Sequence, residues 1–330
     1  MKSIVISSSS QKKCGVKLAD DFSDLMRDAI HIVDSGILRR IGPYLPESYH
    51  AIQGGEQAKS VDHVFELYQL FKTTESHSVC GIGGGSLMEL VGFAASTHSK
   101  VREFSFFPTT AVSQCMPPIG GQFRINFEFV KNVLRASGMP AKVVVLPLLS
   151  YDNLCKNGIS EFLAPIVVSM SFDKRLFSYL KNVSSDGKLD QDTWNDIIWA
   201  SLRAYVKGTE TSGRVVGESM AETIQSSLRL QINYPVALAF GAVLEIWLAS
   251  SMNLIPEQSA QEYTNSIFSI WNRTWPSRMD MSSLTDYIGQ QDYCDFAYPC
   301  ESMTKTHKVT SKEFRRMIRG TPAGRMESFT

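Results

Sequence analysis

Three consecutive glycines mark the first place where this chain's backbone could do chemistry. Val79-Cys80-Gly81-Ile82-Gly83-Gly84-Gly85-Ser86 runs off an apolar strand-like segment and opens a helix-like one. Glycines at such a junction let the backbone approach phosphate closely, and a helix N-terminus adds free N–H groups and partial positive charge. A tight structural turn is the competing reading. The run does not follow the G-x-G-x-x-G pattern placed after a first strand, which argues against the usual Rossmann dehydrogenases. A two-histidine site cannot be assembled from residues 151–330, which contain a single histidine, His307. His98, in a T-H-S-K stretch, reads as an exposed loop histidine. The six cysteines include no C-x-x-C pair and read as reduced, mostly buried thiols of a cytoplasmic protein; a Cys294–Cys300 link is open but unsupported.

The elements that must carry these residues follow from the hydrophobic pattern. With 43% hydrophobic and 20% charged residues, the 330-residue chain is globular and long enough for two domains. A formal net charge of zero gives no footprint for nucleic acid or a polybasic membrane surface. Short β-branched runs at Ser3–Ile6, Val79–Gly81 and Lys142–Leu146 alternate with helical spacing at Asp21–Val33 and Val61–Phe71. That alternation predicts an α/β class: a Rossmann-like N-terminal domain with a parallel sheet over residues 1–150. Helical patterns at Leu189–Val206, Met220–Leu230 and Tyr234–Met252 predict an all-helical domain over 151–330. Val236–Leu248 is apolar but short for a membrane span and is interrupted by Glu245, so it reads as a buried helix.

Set in order, the motifs resemble those of the dehydroquinate synthase family of sugar phosphate cyclases, relatives of the glycerol dehydrogenases. GIGGGSLMELVGFAAST is followed by FFPTTAVSQ, then IGG, then KN; upstream, Gly54-Gly55-Glu56-Gln57-Ala58-Lys59 looks like the family's GE-x-x-K element. The resemblance implies NAD as cofactor. Asp34, Glu56 and Lys59 would hold its ribose and adenine side. Gly83, Gly84 and Gly85, with Ser86, would cradle the pyrophosphate. Glu89 stands where the family has an aspartate near the nicotinamide, and Thr109 and Thr110 would donate hydrogen bonds. Lys131 and Asn132 match the KN pair that contacts cofactor and substrate. A homodimer and a small anionic or polyol-like ligand are implied as well.

The resemblance breaks in the second half. The family holds a divalent metal with one glutamate and two histidines. The glutamate maps onto Glu161, but the G-H-x-x-x-H segment reads Gly217-Glu218-Ser219-Met220-Ala221-Glu222, and the H-G-E segment reads Phe240-Gly241-Ala242. Substrate-binding groups differ too: Met116, Pro117 and Pro118 precede the glycine pair, Gln122 replaces its lysine, and Ala164 replaces the lysine after the metal glutamate. Pro165 is expected to kink a helix. Lys100 and Arg203 keep positive charge at two family positions. One reading is a rebuilt catalytic cleft using Lys131, Asn132, Glu161 and Arg203. In it Glu161, Glu218 and Glu222 would form an all-oxygen cluster, suited to Mg²⁺ or Mn²⁺ rather than Zn²⁺. Glu218 and Glu222 share a helix face at i,i+4, which a solvated surface explains equally. A non-catalytic binding or partner protein and an NAD-dependent polyol dehydrogenase are the alternatives.

Overall fold

The structure is a computed structural model that describes residues 2–7, 12–25, 28–119, 121–157, 161–186, 189–211, 213–270, 281–301 and 303–320. It divides into two compact units, Met1–Lys156 and Asn157–Thr330.

The strands of the first unit are β1 (Ser3–Ser7), β2 (Lys13–Leu18), β3 (Ile30–Asp34), β4 (His50–Ile52), β5 (Ser78–Gly83), β6 (Glu103–Pro108), β7 (Gln122–Phe127), β8 (Val130–Ser137) and β9 (Lys142–Val145). Its helices are α1 (Leu38–Ile41), α2 (Val61–Thr73), α3 (Gly85–Thr97), α4 (Ala111–Cys115) and α5 (Pro147–Asn157). Seven strands form one sheet in the order β1-β2-β9-β6-β5-β3-β4, parallel except for the β1–β2 pair. The inner strands are almost continuously buried, as expected for a parallel sheet covered on both faces. One face packs Val33, Cys80, Ile82, Phe107 and Val144 against Ile41 and Leu149.

Helical spacing over Asp21–Val33 does not become a helix. Ile30–Val33 is instead the buried part of β3, while Phe22 and Leu25 lie against the core from an irregular stretch. Four consecutive residues that are all buried suit a central strand as well as a wholly buried helix segment, and sheet pairing with β5 decides between them. Met26 lies outside the described residues.

Two features of this unit prepare a site. From β3 the chain passes to β4 at the sheet edge, whereas β5 leads to β6 in the opposite direction. The carboxyl ends of β3 and β5 therefore flank a topological switch point, where open α/β sheets bind ligands. Separately, β7 and β8 form an antiparallel hairpin seated on α3. A Cβ at Gly92 would lie 2.3 Å from the Phe123 ring, so this glycine lets helix and hairpin meet closely.

The second unit contains α6 (Leu163–Phe172), α7 (Lys174–Asp186), α8 (Gln191–Glu210), α9 (Glu218–Ser227), α10 (Tyr234–Ser251), α11 (Glu257–Ile270), α12 (Met281–Gly289) and α13 (Ser311–Gly320). It also holds a hairpin that the sequence reading did not anticipate, β10 (Tyr293–Cys300) paired with β11 (Met303–Thr310). The unit is helical, but not wholly so. Every residue of α6 is buried. By length and composition α10 could cross a membrane, yet 67% of that window is buried inside the unit. Pro165 stands in the first turn of α6, where its missing N–H has no helical partner to lose, so the expected kink does not arise.

Where α9 crosses α10 the backbones touch. Gly217 adopts φ 88°, and a Cβ at Gly241 would lie 2.3 Å from the Gly217 carbonyl oxygen and 2.8 Å from the Ala221 nitrogen. These neighbours are main chain and have no rotamer to yield. Gly241→Ala should therefore destabilise the protein by roughly 2–3 kcal/mol, read by urea unfolding.

Candidate functional site

The glycine run comes straight off β5 and opens α3, with Gly84 as a helix cap that carries no side-chain acceptor. The first N–H groups of α3 therefore lack helical partners. A Cβ at Gly85 would have no heavy atom within 4 Å. Across the switch point Asp34 ends β3, its carboxylate accepting from the Gly36 N–H at 2.9 Å and the Gly54 N–H at 3.1 Å. Thr109 is buried and donates its N–H to the Gly83 carbonyl at 3.0 Å. Thr110 caps α4 through a reciprocal pair with Ser113, and its methyl carbon lies 3.5 Å from a Cβ built on Gly84.

Next to this loop the fold gathers the charged residues of three motifs. Glu56 opens a short 3-10 turn, Glu56–Ala58. Its carboxylate takes the Ser86 hydroxyl at 2.8 Å, the Asn126 amide at 3.2 Å and the Lys131 ammonium at 3.1 Å. Lys59 donates to the Asn132 side-chain oxygen at 2.6 Å and lies 3.4 Å from Glu89. Glu89 in turn accepts the Arg124 N–H at 2.8 Å and pairs with the Arg124 guanidinium at 3.7 Å. Burial pushes the Glu56 carboxyl up, but the charges of Lys59 and Lys131 and the hydrogen bonds from Ser86 and Asn126 outweigh it, bringing its pKa to about 2.

Consecutive residues of a regular strand face opposite ways, yet Lys131 and Asn132 are both buried. Asn132 achieves this with a left-handed φ of 61°, which asparagine tolerates better than most residues. The hairpin register also shifts between Ile125 and Phe127, and such irregularities re-aim side chains. Asn126 sits at that shift. Its own N–H reaches the Lys59 carbonyl at 2.9 Å, and its side-chain oxygen accepts the Asn132 N–H at 3.0 Å. Neither Asn126 nor Arg124 was singled out from the sequence. The available signal was their alternation with Phe123 and Ile125, which puts both polar residues on one strand face.

The second unit does not assemble its candidates in this way. Arg203 is exposed on α8, and Glu161 is half-buried just ahead of α6. Among the described residues no group of three or more His, Cys, Asp or Glu is arranged to hold a metal ion. Glu218 and Glu222 share α9, and the expected trio with Glu161 finds no support among the described residues. Phe240 is 1% exposed and offers no ligand atom. Lys100 is also engaged elsewhere, donating to the Lys72 carbonyl at 3.3 Å and to that of Thr74, at the end of α2. His98 caps α3 and packs its ring against Tyr68 and Phe71 instead of lying free in a loop. All six cysteines are free, so the Cys294–Cys300 link does not form. Gly120 of the IGG segment and residues 158–160 before Glu161 lie outside the described residues.

Residues 49–150 match the 3-dehydroquinate synthase N-terminal family. The 3-dehydroquinate synthase of Saccharolobus solfataricus is 28% identical over 67% of this chain and 66% of its own length. That of Alkaliphilus oremlandii is 23% identical over 90% of this chain and 86% of its own. The bifunctional shikimate kinase/3-dehydroquinate synthase of Thermotoga maritima is 36% identical, but over 33% of this chain and 23% of its own length. The match thus spans from about a quarter to two thirds of the Thermotoga and Saccharolobus relatives. Residues 49–150 thus carry the 3-dehydroquinate synthase N-terminal family match, and the rest of the chain is similar to these synthases at lower identity. Its fold agrees over nearly the full length. A 2-epi-5-epi-valiolone synthase from Streptomyces hygroscopicus, solved with NAD+ and Zn2+, superposes with a TM-score of 0.78 at 16% identity, covering 96% of this chain and 98% of that one. A 2-deoxy-scyllo-inosose synthase solved with carbaglucose-6-phosphate, NAD+ and Co2+ gives the same TM-score and identity, covering 97% and 100%.

In this dehydroquinate synthase-like chain the first unit suits a dinucleotide: an uncapped helix start, open space at Gly85 and a carboxylate across the switch point. Among the described residues, the segments matching the metal ligands gather no group of three or more ligating side chains. The buried charges make a prediction about acid. Because the Glu56 pKa falls from 4.5 to about 2 on folding, it contributes about 3 kcal/mol above pH 4.5, lost as pH drops through about 2. Unfolding of the protein and of Glu56→Gln should differ by that order at pH 6, and the two curves should converge towards pH 2.

Proposed function

We propose that this chain is a cytoplasmic, NAD-binding protein of the sugar phosphate cyclase type. In this reading its cleft is rebuilt, its substrate has changed, and it lacks ordinary 3-dehydroquinate synthase activity. The observation that carries the reading is the convergence of Glu56, Lys59, Ser86, Asn126, Lys131 and Asn132 beside an uncapped glycine loop at the switch point. Six free cysteines suit a reducing compartment.

Bound NAD would supply a hydride acceptor. The chain's own groups would do the rest. The N–H groups of Gly85 and Ser86 would face the pyrophosphate, and Asp34 the ribose hydroxyls. A carboxylate in Asp34's place disfavours a 2′-phosphate, so NAD is preferred to NADP. Glu89, Lys131 and Asn132 would orient the nicotinamide end and any substrate hydroxyls, with Lys59 bonded to Asn132 from the ribose side. Metal-dependent dehydroquinate synthesis is left without imidazole ligands, and Gln122 and Ala164 supply no cation for an anionic substrate. The single histidine of residues 151–330 also weighs against a polyol dehydrogenase that relies on metal-binding histidines.

A second reading, a non-catalytic binding protein, is favoured by one specific feature. Lys59 and Lys131 are already matched by Glu89 and Glu56, which leaves less charge for a substrate anion. Phe127, Phe129, Val130, Val133 and Leu134 are also exposed on the β7–β8 hairpin, an apolar surface of the kind that meets a partner. We take that partner to be a second copy. Light scattering at micromolar concentration should give a dimer, and Phe129→Ser should shift it towards monomer.

Calorimetry and a phosphate-release assay test the main reading together. NAD should bind, with NADP at least about tenfold weaker, and Asp34→Ala should narrow that gap. The seven-carbon phosphorylated sugar acid of dehydroquinate synthase should give no phosphate with NAD and zinc, cobalt, manganese or magnesium. No NAD binding at millimolar concentration would remove the cofactor assignment. Turnover near ~10 s⁻¹, an ordinary enzyme's rate, would remove the claim of a rebuilt cleft.

A further inference from the structure

The two segments matching the family's metal-binding histidines meet backbone to backbone in this protein. A Cβ on Gly217 would lie 2.3 Å from the Ala242 nitrogen and 2.6 Å from the Leu238 carbonyl oxygen. One turn beyond Phe240-Gly241-Ala242 stands Glu245, fully buried on α10. Its Oε2 accepts the Gly217 N–H at 2.7 Å and the Ala297 N–H at 2.9 Å, while its Oε1 accepts the Met220 N–H at 3.0 Å. Gly217 and Met220 belong to the start of α9, whose first N–H groups have no helical partners and whose cap has no side chain to offer. Ala297 belongs to β10. One side chain thus joins three elements of the second unit.

We propose that Glu245 is a built-in substitute for the metal: a buried carboxyl clamp that fixes α9, α10 and the β10–β11 hairpin together, so that this unit folds and holds its shape without a bound ion. The proposal goes beyond the NAD reading and is independent of it, since it concerns the second unit alone. Three features carry it. The ligand set is missing, with Phe240 buried and no acid–imidazole–thiol group among the described residues. The polar atoms that a missing ion would leave to be organised are organised already. The acceptors suit the donors, because carboxyl oxygens at a helix start meet both free N–H groups and the favourable end of the helix dipole. Burial raises the Glu245 pKa to about 8, against the hydrogen bonds from Gly217, Ala297 and Met220 and the charge of Arg214. The clamp does not depend on the outcome of that competition. A proton on Oε1 leaves both bonds to Oε2 in place.

The full chain tests this with three measurements. Thermal unfolding of the purified protein should move by less than about 1 °C on adding excess EDTA or zinc, since a ligand that does not bind the native state cannot shift it. Glu245→Leu keeps the volume but removes every acceptor; its midpoint should fall by roughly 5–10 °C. Glu245→Gln keeps the Oε2 contacts and sets an amide NH₂ against the Met220 N–H. It should therefore fold even if the leucine variant does not, with amide hydrogen exchange accelerated at Met220. Exchange at Met220 should be unchanged in Glu222→Gln. Stoichiometric metal by mass spectrometry, a midpoint lowered by EDTA, or unaltered exchange at Met220 in Glu245→Gln would each overturn the proposal.

Discussion

A carboxylate removed from water must find its compensation in the fold, and in the first unit the Glu56 carboxylate finds it in groups from three separate stretches of chain. Ser86 comes from the start of α3, Lys131 from β8 and Asn126 from β7. Breaking such a buried set costs more than forming it gains, because the partners are left without counter-charge. Its value therefore lies in placement. It holds the hairpin and the 56–59 segment beside the glycine loop, and Lys59, Glu89 and Arg124 extend the same alternation of charge. The hydrophobic contact at Gly92 and Phe123 brings the hairpin near, and the polar set fixes its register.

Much of this was legible in the sequence, for physical reasons that differ from element to element. The Val61–Thr73 helix showed a clean 3.6-residue stripe and formed as expected. The glycine run announced a strand-to-helix junction because few other contexts call for three glycines together. Motif order announced that Glu56, Lys59, Lys131 and Asn132 belong to one site. It did not show that these residues would bind one another. Side-chain pairing across 73 residues, as between Lys59 and Asn132, is a property of the fold and not of any local window. The β10–β11 hairpin was missed because β11 reads Lys305-Thr306-His307-Lys308 at its centre and offers no apolar run to match Phe296 and Ala297 on β10. The partners of Lys100 were not legible, because a lysine's charge is visible in sequence while its choice of backbone carbonyls is not.

The two units have kept different things. In the first, family motifs survive as residues and the fold brings them together. In the second, the fold is shared, and no group of three or more metal-ligating side chains is gathered among the described residues. Structural likeness at 16% identity over nearly the whole chain fits that division, since packing tolerates substitution that a ligand set cannot. Fold and reaction are separable properties, so likeness of fold in the second unit does not by itself carry a reaction.

The crossing of α9 and α10 limits which side chains this part of the unit can accept. At Phe240 an imidazole would enter a site that is 1% exposed, beside two helices whose backbones already touch through Gly217 and Gly241. Restoring one histidine would bury a polar ring with nothing to coordinate, a loss on its own. Restoring all of them at once would still meet a helix start already occupied by Glu245. A metal site at this crossing would therefore need several coordinated substitutions, since a lone buried imidazole has no partner to offset its desolvation.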